Sequence, residues 1–570
     1  MSKSDTRSTA VWRAFVALLV VFTFVNAPVM ALQSQAVAPA PSASSAPAPS
    51  SAAALSEAER GASERVRVET LREVTEALSS KEMRGRGTGQ PGGDLAAQYI
   101  ADRFAKLGLK PGGENKTYFQ TIKFREFQIA PETSFAVGEQ PLKLRDDYIP
   151  IPPYTGGKDL SARLVFVGYG IVSSAMGRDD LKGVDLRGKL VVILDGPPKG
   201  ISEEAWKKAQ ANQKILMSLL MGGAAGLVIA GAGSEQAPYA QTADYTTRRQ
   251  IEPADAERYP PGFPPLFYVS DAGAEKLFAA SGTTYAEAKR AADRGEFVSR
   301  DLKQTAKVKL SFTDAKVTGR NVVGVVEGSD PVLKEQAVVY TAHYDAFGAD
   351  AAGRFYPGAA DNALGVAEMI AIAEALVAAR PRRSVIFLAV TGEEYGLFGA
   401  EHWVKNPTWK IKQVAANLNF DGMGTEVYGP LKQIVGFGAE HSELGALLQS
   451  VAAATGNRII PDPMPEEKAF YRSDHYAFVK KGVPALFLMG TPEMDAKTII
   501  ARVKEYEEKD YHQPTDVVKP DWNWEGPRGL AQVGVVLGLR IANADAMPAW
   551  LASSPFNRER GTNKEPPPEP

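Results

Sequence analysis

The sequence contains no cysteine, which excludes disulfides, thiolate zinc fingers, iron–sulfur clusters and a cysteine nucleophile. It also has no excess of positive charge, because 65 Lys and Arg residues stand against 67 Asp and Glu. Nucleic-acid-binding proteins usually show a basic excess, so we expect no nucleic-acid partner. A length of 570 residues allows about two to four domains.

Histidine is scarce, and any histidine-based chemistry must use one of five residues. The pattern around two of them, His402 and His441, indicates structural roles. The five histidines are His343, His402, His441, His475 and His512.

The N-terminus has the pattern of a secretory signal peptide. Basic residues precede an apolar run of twelve residues at 14–25, and small residues allow cleavage after Ala31. The run is shorter than the roughly 20 residues of a membrane span. We therefore expect residues 1–31 to be removed, leaving a periplasmic or secreted protein of bacterial type without a stable membrane anchor. The alternative is an uncleaved anchor.

Composition divides the remaining chain. Residues 32–56 are rich in Ala, Pro and Ser, and residues 551–570 are polar and Pro-rich, so both are predicted to be disordered. Residues 57–149 and 301–550 are predicted to form one domain, beginning with a helix over 57–78. Residues 150–300 show strands and helices without a cluster of metal-ligand residues, which predicts an inserted domain.

Short apolar runs alternate with helical stretches in the C-terminal half. This alternation predicts an α/β fold with a mixed, mostly parallel central sheet flanked by helices. The predicted strands are Ala337–Ala342, Ser384–Val390, Ala415–Phe420 and Val483–Met489, and the main predicted helix is Ala363–Ala379.

Acidic residues and histidines recur where these strands end. In open α/β sheets ligands bind beyond the carboxyl ends of the strands, so these side chains are expected at one edge. They are His343 and Asp345 after the first strand, Glu393 and Glu394 after the second, Asp421 after the third, His512 after the fourth, and Asp361 before the helix.

Imidazole and carboxylate ligands suit zinc or a similar ion when cysteine is absent. Two histidines and three carboxylates exceed what one tetrahedral ion needs. They suit two ions about 3.5–4 Å apart that share a bridging carboxylate, and Asp361 is the favoured bridge. Another carboxylate beside the ions can accept a proton from water. The pattern predicts metal-assisted hydrolysis of an acyl bond, with an amide favoured.

Each candidate also has a structural interpretation. His343 could be a core histidine, Asp361 a helix cap, and Asp421 a turn residue. The adjacent glutamates 393 and 394 could form a solvated turn, although a cationic centre explains two neighbouring like charges better. The long loop before His512 makes its assignment the weakest from the residues alone.

These residues also resemble a known family. The segments His343-x-Asp345, Gly358-x-x-Asp361-Asn362-x-x-Gly365, Glu393-Glu394-x-Gly396-x-x-Gly399-Ala400, Asn419-x-Asp421 and His512 are similar to the secreted di-zinc aminopeptidases, a family that includes glutamate carboxypeptidase II-like enzymes. Arg84–Gly89 and Gly108–Pro111 resemble its bacterial N-terminal segment. Residues 168–170, 179–189 and 223–226 resemble its inserted protease-associated domain.

The resemblance implies a role for each residue. Asp361 would bridge two zinc ions, or other divalent ions, and Glu393 would be the general base. Asp345 would orient His343. The segment Ser473-Asp474-His475 resembles one that borders the substrate cleft, and Tyr471 or Tyr511 is a candidate oxyanion donor. The remaining ligands would be His343 and Asp421 on one ion, and Glu394 and His512 on the other.

The resulting prediction is an exported di-zinc metallopeptidase, and specifically an aminopeptidase acting on peptides, whose inserted domain shapes the cleft. A carboxypeptidase or dipeptidase could use the same centre; an acidic cluster would grip an amine, whereas arginine would grip a carboxylate. A cyclising acyltransferase of this fold usually binds one zinc, which the full ligand set disfavours. A receptor-like protein without activity is the alternative from another class.

Overall fold

The computed structural model describes residues 54–151, 158–202, 205–206, 209, 211–233, 238–256, 263–296, 299–350, 353–564 and 566. The predicted signal peptide and residues 32–53 of the predicted linker lie outside this part. Two compact units are present. The first comprises the described residues of 126–250 and 255–315, and the second those of 54–125, 251–254 and 316–566.

The strands are numbered in chain order. They are β1 Lys110–Pro111, β2 Phe119–Ile129, β3 Ser134–Val137, β4 Gln140–Leu142, β5 Tyr148–Pro150, β6 Lys158–Phe166, β7 Val172–Ser173, β8 Arg178–Asp179, β9 Leu190–Leu194, β10 Gly226–Ala230, β11 Gln250–Pro253, β12 Leu266–Val269, β13 Arg300–Leu310, β14 Phe312–Val326, β15 Ala337–His343, β16 Gly348–Ala349, β17 Phe355–Tyr356, β18 Ser384–Val390, β19 Val414–Phe420, β20 Gln433–Phe437, β21 Arg458–Ile459 and β22 Ala485–Thr491.

The α-helices are numbered in the same way among the described residues. They are α1 Glu57–Ser63, α2 Val68–Leu78, α3 Pro91–Leu107, α4 Ala211–Met221, α5 Tyr239–Thr247, α6 Asp271–Phe278, α7 Tyr285–Asp293, α8 Gly365–Ala379, α9 Phe398–Lys405, α10 Leu444–Ala454, α11 His475–Lys480, α12 Ala496–Lys509 and α13 Glu525–Asn543.

The sheet of the second unit has the order β2-β14-β18-β15-β19-β22-β20-β21, with β11 beside β2 and β1 beside β14. At its centre β18, β15, β19 and β22 run parallel, whereas β14 and β20 are antiparallel to their inner neighbours. The parallel strands are buried along their whole length, as expected for a sheet covered on both faces. The predicted α/β class and mixed central sheet are confirmed.

Helix α8 supplies the apolar cover on one face of this sheet. With the preceding turn it forms the stretch Ala359–Ala379, which is long and apolar enough to cross a membrane. However, 78% of its most apolar window is buried inside the protein. Packing against the sheet, α2 and α13 therefore accounts for its composition.

The predicted helix over 57–78 is wrong in one respect, because the structure has two helices there. Ser56 caps α1 through a capping box with Glu59. Between the helices, Gln532 Nε2 donates to the carbonyl of Ser63 at 3.2 Å and Arg528 Nε to that of Val66 at 3.1 Å. Side chains of α13 thus satisfy carbonyls that a continuous helix would bond internally.

The first unit has its own sheet, in the order β4-β3-β13-β6-β9-β10-β12-β5. Its centre is parallel, from β6 through β9 and β10 to β12. The unit extends beyond the predicted 150–300, because β3 and β4 pair into its sheet through β13. Within the described part of the chain, the side-chain groups suited to a metal ion lie in the second unit.

Residues 551–564 of the predicted disordered tail pack against the second unit. Phe556 is only 2% exposed and contacts the rings of His441 and Phe470. Arg558 Nη2 donates to the carbonyl of Val479 at 2.9 Å. The polar composition concealed this segment because one aromatic side chain and a few hydrogen bonds to backbone carbonyls hold it.

Candidate metal centre

Adjacent parallel strands deliver most of the predicted ligands to one edge. His343 is the last residue of β15, Asp421 follows β19, and the glutamates follow β18. Gly392, with φ of 76°, adopts the left-handed conformation that turns the chain at the glutamates. A close approach joins two other loops, since a Cβ on Gly422 would lie 1.9 Å from the carbonyl oxygen of Ala360.

The carboxylate of Asp361 lies between two imidazoles. Its Oδ1 is 3.1 Å from Nε2 of His343, and its Oδ2 is 3.3 Å from Nε2 of His512. On the outer sides, His343 Nε2 is 3.2 Å from Asp421 Oδ1 and His512 Nε2 is 3.0 Å from Glu394 Oε2. The five predicted ligands therefore form one continuous cluster with Asp361 at its centre, the metal-suited cluster.

Glu393 lies beside one half of this cluster. Its Oε2 is 3.9 Å from His343 Nε2, and its carboxylate, His343 and Asp421 offer ligand atoms within 4.8 Å of one another. His343, Asp361 and Glu394 form a second such group. Imidazole nitrogens and carboxylate oxygens without thiolates fit zinc and neighbouring divalent ions.

The electrostatics of the cluster also fit cations. Burial raises the pKa of Glu394 to about 7 and that of Glu393 well above its usual value. Burial opposes protonation of His512, yet Glu394 and Asp361 raise its pKa to about 9. Burial would raise the pKa of Asp361, but hydrogen bonds from His343 and His512 outweigh it and lower the pKa. The carboxylates thus create a strongly negative buried potential, which favours bound cations.

Asp345 lies on the other side of the His343 ring, where the sequence predicts an orienting residue. His343 Nδ1 is 3.2 Å from the backbone carbonyl oxygen of Asp345 and 3.9 Å from its Oδ1. A proton on Nδ1 leaves Nε2 free to face the cluster. Oδ1 of Asp345 also accepts the backbone N–H of Glu393 at 3.2 Å, so the residue positions two members of the site.

Ser473 contacts the predicted ligand Asp421, and the sequence did not predict this contact. Its hydroxyl donates to Oδ2 of Asp421 at 2.5 Å and accepts from Nδ2 of Asn419 at 2.7 Å. This hydrogen bond occupies the Asp421 oxygen that does not face His343. The only sequence signal was its place in the Ser473-Asp474-His475 segment.

Asp516 and Arg86 also support the cluster, and sequence reasoning assigned no role to either. The carboxylate of Asp516 accepts the backbone N–H groups of Ala360 and Asp361 at 3.0 and 3.1 Å. Arg86 is fully buried and donates to backbone carbonyls around the site. Arg86 stands within the Gly-rich segment Arg84–Gly89 that resembles the family, and Asp516 stands four residues after His512.

The other predicted neighbours are Asp474, His475 and Tyr471. Asp474 is buried beside the site, and burial raises its pKa well above the usual value. His475 packs between the rings of Phe470 and Phe487, where burial lowers its pKa to about 3. Tyr471 packs against Phe470 and Tyr476. Among the described residues, these three side chains do not line the cavity at the cluster.

That cavity opens onto His343, Asp361, Glu393 and Asp421. Tyr511 lies on its wall and stacks on the ring of His512 at 3.6 Å between centroids, while Phe347 meets the same ring edge-on. The wall also includes apolar and charged side chains. Among them are Met423, Met464, Phe487 and Val503, and Glu467, Arg472 and Glu507.

Comparison with known sequences agrees with this picture. Residues 321–533 match Peptidase family M28. Aminopeptidase YwaD of Bacillus subtilis (strain 168) is 33% identical over 133 residues, which are 23% of this chain and 27% of that protein. The vacuolar membrane protease of Candida albicans (strain WO-1) is 38% identical over 104 residues, or 18% of this chain and 11% of that protein. The chain thus aligns with about a quarter or less of the length of these relatives.

Solved structures share the fold over most of the chain. The aminopeptidase from Aneurinibacillus sp. strain AM-1 superposes with a TM-score of 0.55 at 19% identity, covering 86% of this chain and 97% of that one. For BSAP, a zinc aminopeptidase from Bacillus subtilis, the TM-score is 0.51 at 17% identity, with 84% and 97% covered. Residues 321–533, which contain every residue of the metal-suited cluster, therefore belong to peptidase family M28, in the group of di-zinc aminopeptidases and glutamate carboxypeptidase II-like enzymes.

Proposed function

We propose that this protein is an exported di-zinc aminopeptidase. The observation that carries the proposal is the carboxylate of Asp361, whose two oxygens each face one imidazole, His343 and His512. A carboxylate shared between two metal ions needs this arrangement. Export rests on the signal pattern of residues 1–31.

The residues of the cluster divide naturally between two ions. His343 and Asp421 would hold one, Glu394 and His512 the other, and Asp361 both. When bound, the two zinc ions would supply a nucleophilic water at neutral pH and polarise the scissile carbonyl.

Glu393 is placed to move the proton. It lies next to the cluster without occupying the outer ligand position of either histidine. We assign it as the general base that accepts the proton of the attacking water and then delivers it to the leaving amine. Tyr511, held against His512 on the cavity wall, is the better placed of the two tyrosine candidates for donating to the developing oxyanion.

The charge of the cavity favours recognition of an amine. Arg472 is its single arginine in the described part of the chain, and Arg472 Nη1 lies 3.3 Å from Oε2 of Glu467. With that pair matched, the described wall keeps no uncompensated lysine or arginine. An acidic wall suits the substrate's N-terminus, whereas a carboxypeptidase needs an uncompensated cation for the C-terminus.

The test is hydrolysis of leucine p-nitroanilide by the purified protein, before and after zinc is removed with a chelator. We expect chelation to abolish activity and zinc to restore it. Glu393→Gln should lose on the order of 10²- to 10⁴-fold in kcat, whereas Glu76→Gln, on an exposed helix face, should not. N-acetyl-leucine p-nitroanilide should resist cleavage.

Chelator-insensitive hydrolysis or full activity of Glu393→Gln would overturn the mechanism. Cleavage of N-blocked peptides from their C-terminus would instead identify a carboxypeptidase. Absence of any peptidase activity in the zinc-loaded protein would favour the receptor-like alternative.

A further inference from the structure

Helix α12 presents one carboxylate to the cavity above the metal-suited cluster. Val503, Tyr506 and Glu507 lie on the same helix face and line the cavity, as residues three and four apart do. Glu507 is half-buried there, whereas the next residue, Glu508, is exposed to solvent. The chain therefore contains a matched pair of adjacent glutamates, one facing the cavity and one facing away.

The Glu507 carboxylate makes no hydrogen bond or ion pair in the part of the chain that the structure describes. The nearby guanidinium of Arg472 is engaged by Glu467 at 3.3 Å. Burial, followed by repulsion from Glu467, raises the pKa of Glu507, and attraction from Arg472 and Lys504 offsets this only in part. A partly buried carboxylate next to another carboxylate is stabilised by a cation, and the open cavity is where one can enter.

The remaining wall defines the shape of that cation. Met423, Met464, Phe487 and Val503 are apolar, so they suit a hydrocarbon stem. Lysine and arginine combine such a stem with a terminal charge and bury the stem against apolar surfaces. An acidic substrate side chain would be repelled by the carboxylates of Glu467 and Glu507, because Arg472 is already paired with Glu467.

We propose that Glu507 receives the cationic side chain of an N-terminal lysine or arginine, so that the enzyme prefers peptides with a basic first residue. The inference rests on the proposed aminopeptidase function and deepens it. It makes Glu507 a specificity-determining residue, distinct from the groups that bind metal or transfer protons.

The experiment compares kcat/KM for the p-nitroanilides of lysine, norleucine and glutamate at pH 7.5. Norleucine has the lysine stem without the charge. We expect lysine to exceed norleucine by about tenfold, which corresponds to about 1.4 kcal/mol, and glutamate to be the poorest substrate. Glu507→Gln should bring the lysine-to-norleucine ratio near one, Glu507→Lys should favour glutamate, and Glu508→Gln should change no ratio.

An unchanged lysine-to-norleucine ratio in Glu507→Gln would overturn the inference. An equal loss for all three substrates would also overturn it, because it would assign Glu507 to the α-amine common to them. Binding provides a readout independent of turnover: calorimetry of lysinamide and norleucinamide in the Glu393→Gln background should show the same ratio and the same loss. Hydrolysis of norleucine p-nitroanilide without charge preference would refute only this inference, whereas no hydrolysis of any substrate would refute the proposed function itself.

Discussion

The carboxylate of Asp516 accepts the backbone N–H of Asp361 at 3.1 Å. Its second oxygen accepts the N–H of Ala360, and the hydroxyl of Tyr506 lies 3.3 Å from Oδ2. Because Asp516 stands four residues after His512, this contact joins the loop of one imidazole to the loop of the central carboxylate. The imidazole of His512 and the carboxylate of Asp361 face each other at 3.3 Å, and the same hydrogen-bonded turn therefore positions both.

Asp516→Asn should weaken zinc binding without unfolding the protein. An amide offers one acceptor oxygen in place of two, and its N–H₂ group would face a backbone N–H. Loss of an outer hydrogen-bond partner at a metal site typically costs about 10- to 100-fold in affinity or activity. Competition of the apo-protein with a chromophoric chelator measures the affinity directly. Asp521→Asn, at an exposed position, is the control, and equal affinities for the two variants would contradict the role assigned to Asp516.

Arg86 also joins two loops of the site. It donates to the carbonyl of Tyr344, which follows His343, at 2.5 Å, and to that of Gly358, which precedes Asp361, at 2.8 Å. Further bonds reach Leu78 and Pro357. One guanidinium thus sets the spacing between the loops of two predicted ligands.

Arg86→Lys should destabilise the protein, because an ammonium has three donors in a different geometry and leaves a buried carbonyl unpaired. Each such group costs about 1–3 kcal/mol. We expect the thermal midpoint of the chelator-treated protein to fall by several degrees, roughly 2–4 °C for each kcal/mol, and zinc affinity to fall with it. Arg84→Lys in the same turn is exposed and should leave both unchanged. A midpoint of Arg86→Lys equal to that of Arg84→Lys would show that the buried bonds contribute nothing.

The candidate ligands could be predicted from the sequence because each follows a strand or precedes a helix that the local residue pattern identifies. The parallel sheet then brings His343, Glu394 and Asp421 to one edge, since all parallel strands end there. His512 and its loop needed the family resemblance. The central sheet was predictable for the same reason, because its strands are continuous apolar runs.

Supporting residues could not be predicted in this way. Arg86 lies 258 residues from its partner Tyr344, and no local pattern reports such a pairing. The side of a helix that faces a cavity is equally hidden, so Glu507 and Glu508 look alike in the sequence. Phe556 shows the same limit for the tail, where composition predicts disorder but one buried ring specifies packing.

Ser473 offers a test of how Asp421 is oriented. Ser473→Ala removes the hydroxyl that donates to Asp421 at 2.5 Å, and a hydrogen bond to a charged group contributes about 1.5–3 kcal/mol. We expect kcat/KM for leucine p-nitroanilide to fall by roughly tenfold or more, with partial recovery at high zinc. Ser553→Ala, at an exposed position, should behave as the parent protein. Unimpaired activity of Ser473→Ala at limiting zinc would exclude this role.

Two buried glutamates outside the metal-suited cluster make stability depend on pH. Glu368 on α8 and Glu426 are 2% and 3% exposed. Burial raises the pKa of Glu426 to about 7, and burial together with Glu426 raises the pKa of Glu368 well above its usual value. Below pH 4.5 both are protonated in the folded and unfolded chains. Between pH 4.5 and about 7 only the unfolded chain ionises, so stability falls as the pH rises.

The stability of Glu426→Gln relative to the parent protein should therefore rise as the pH increases. Glutamine keeps the shape of the protonated side chain and has no charge to bury. The parent protein loses folding stability between pH 5 and pH 8 through Glu426, and the variant does not. We expect the difference in thermal midpoint, variant minus parent, to be higher at pH 8 than at pH 5. Chelator in both samples removes any pH-dependent contribution from zinc. Glu76→Gln, which is exposed, should show a constant difference, and a constant difference for Glu426→Gln as well would mean that Glu426 ionises in the folded protein as it does in the unfolded chain.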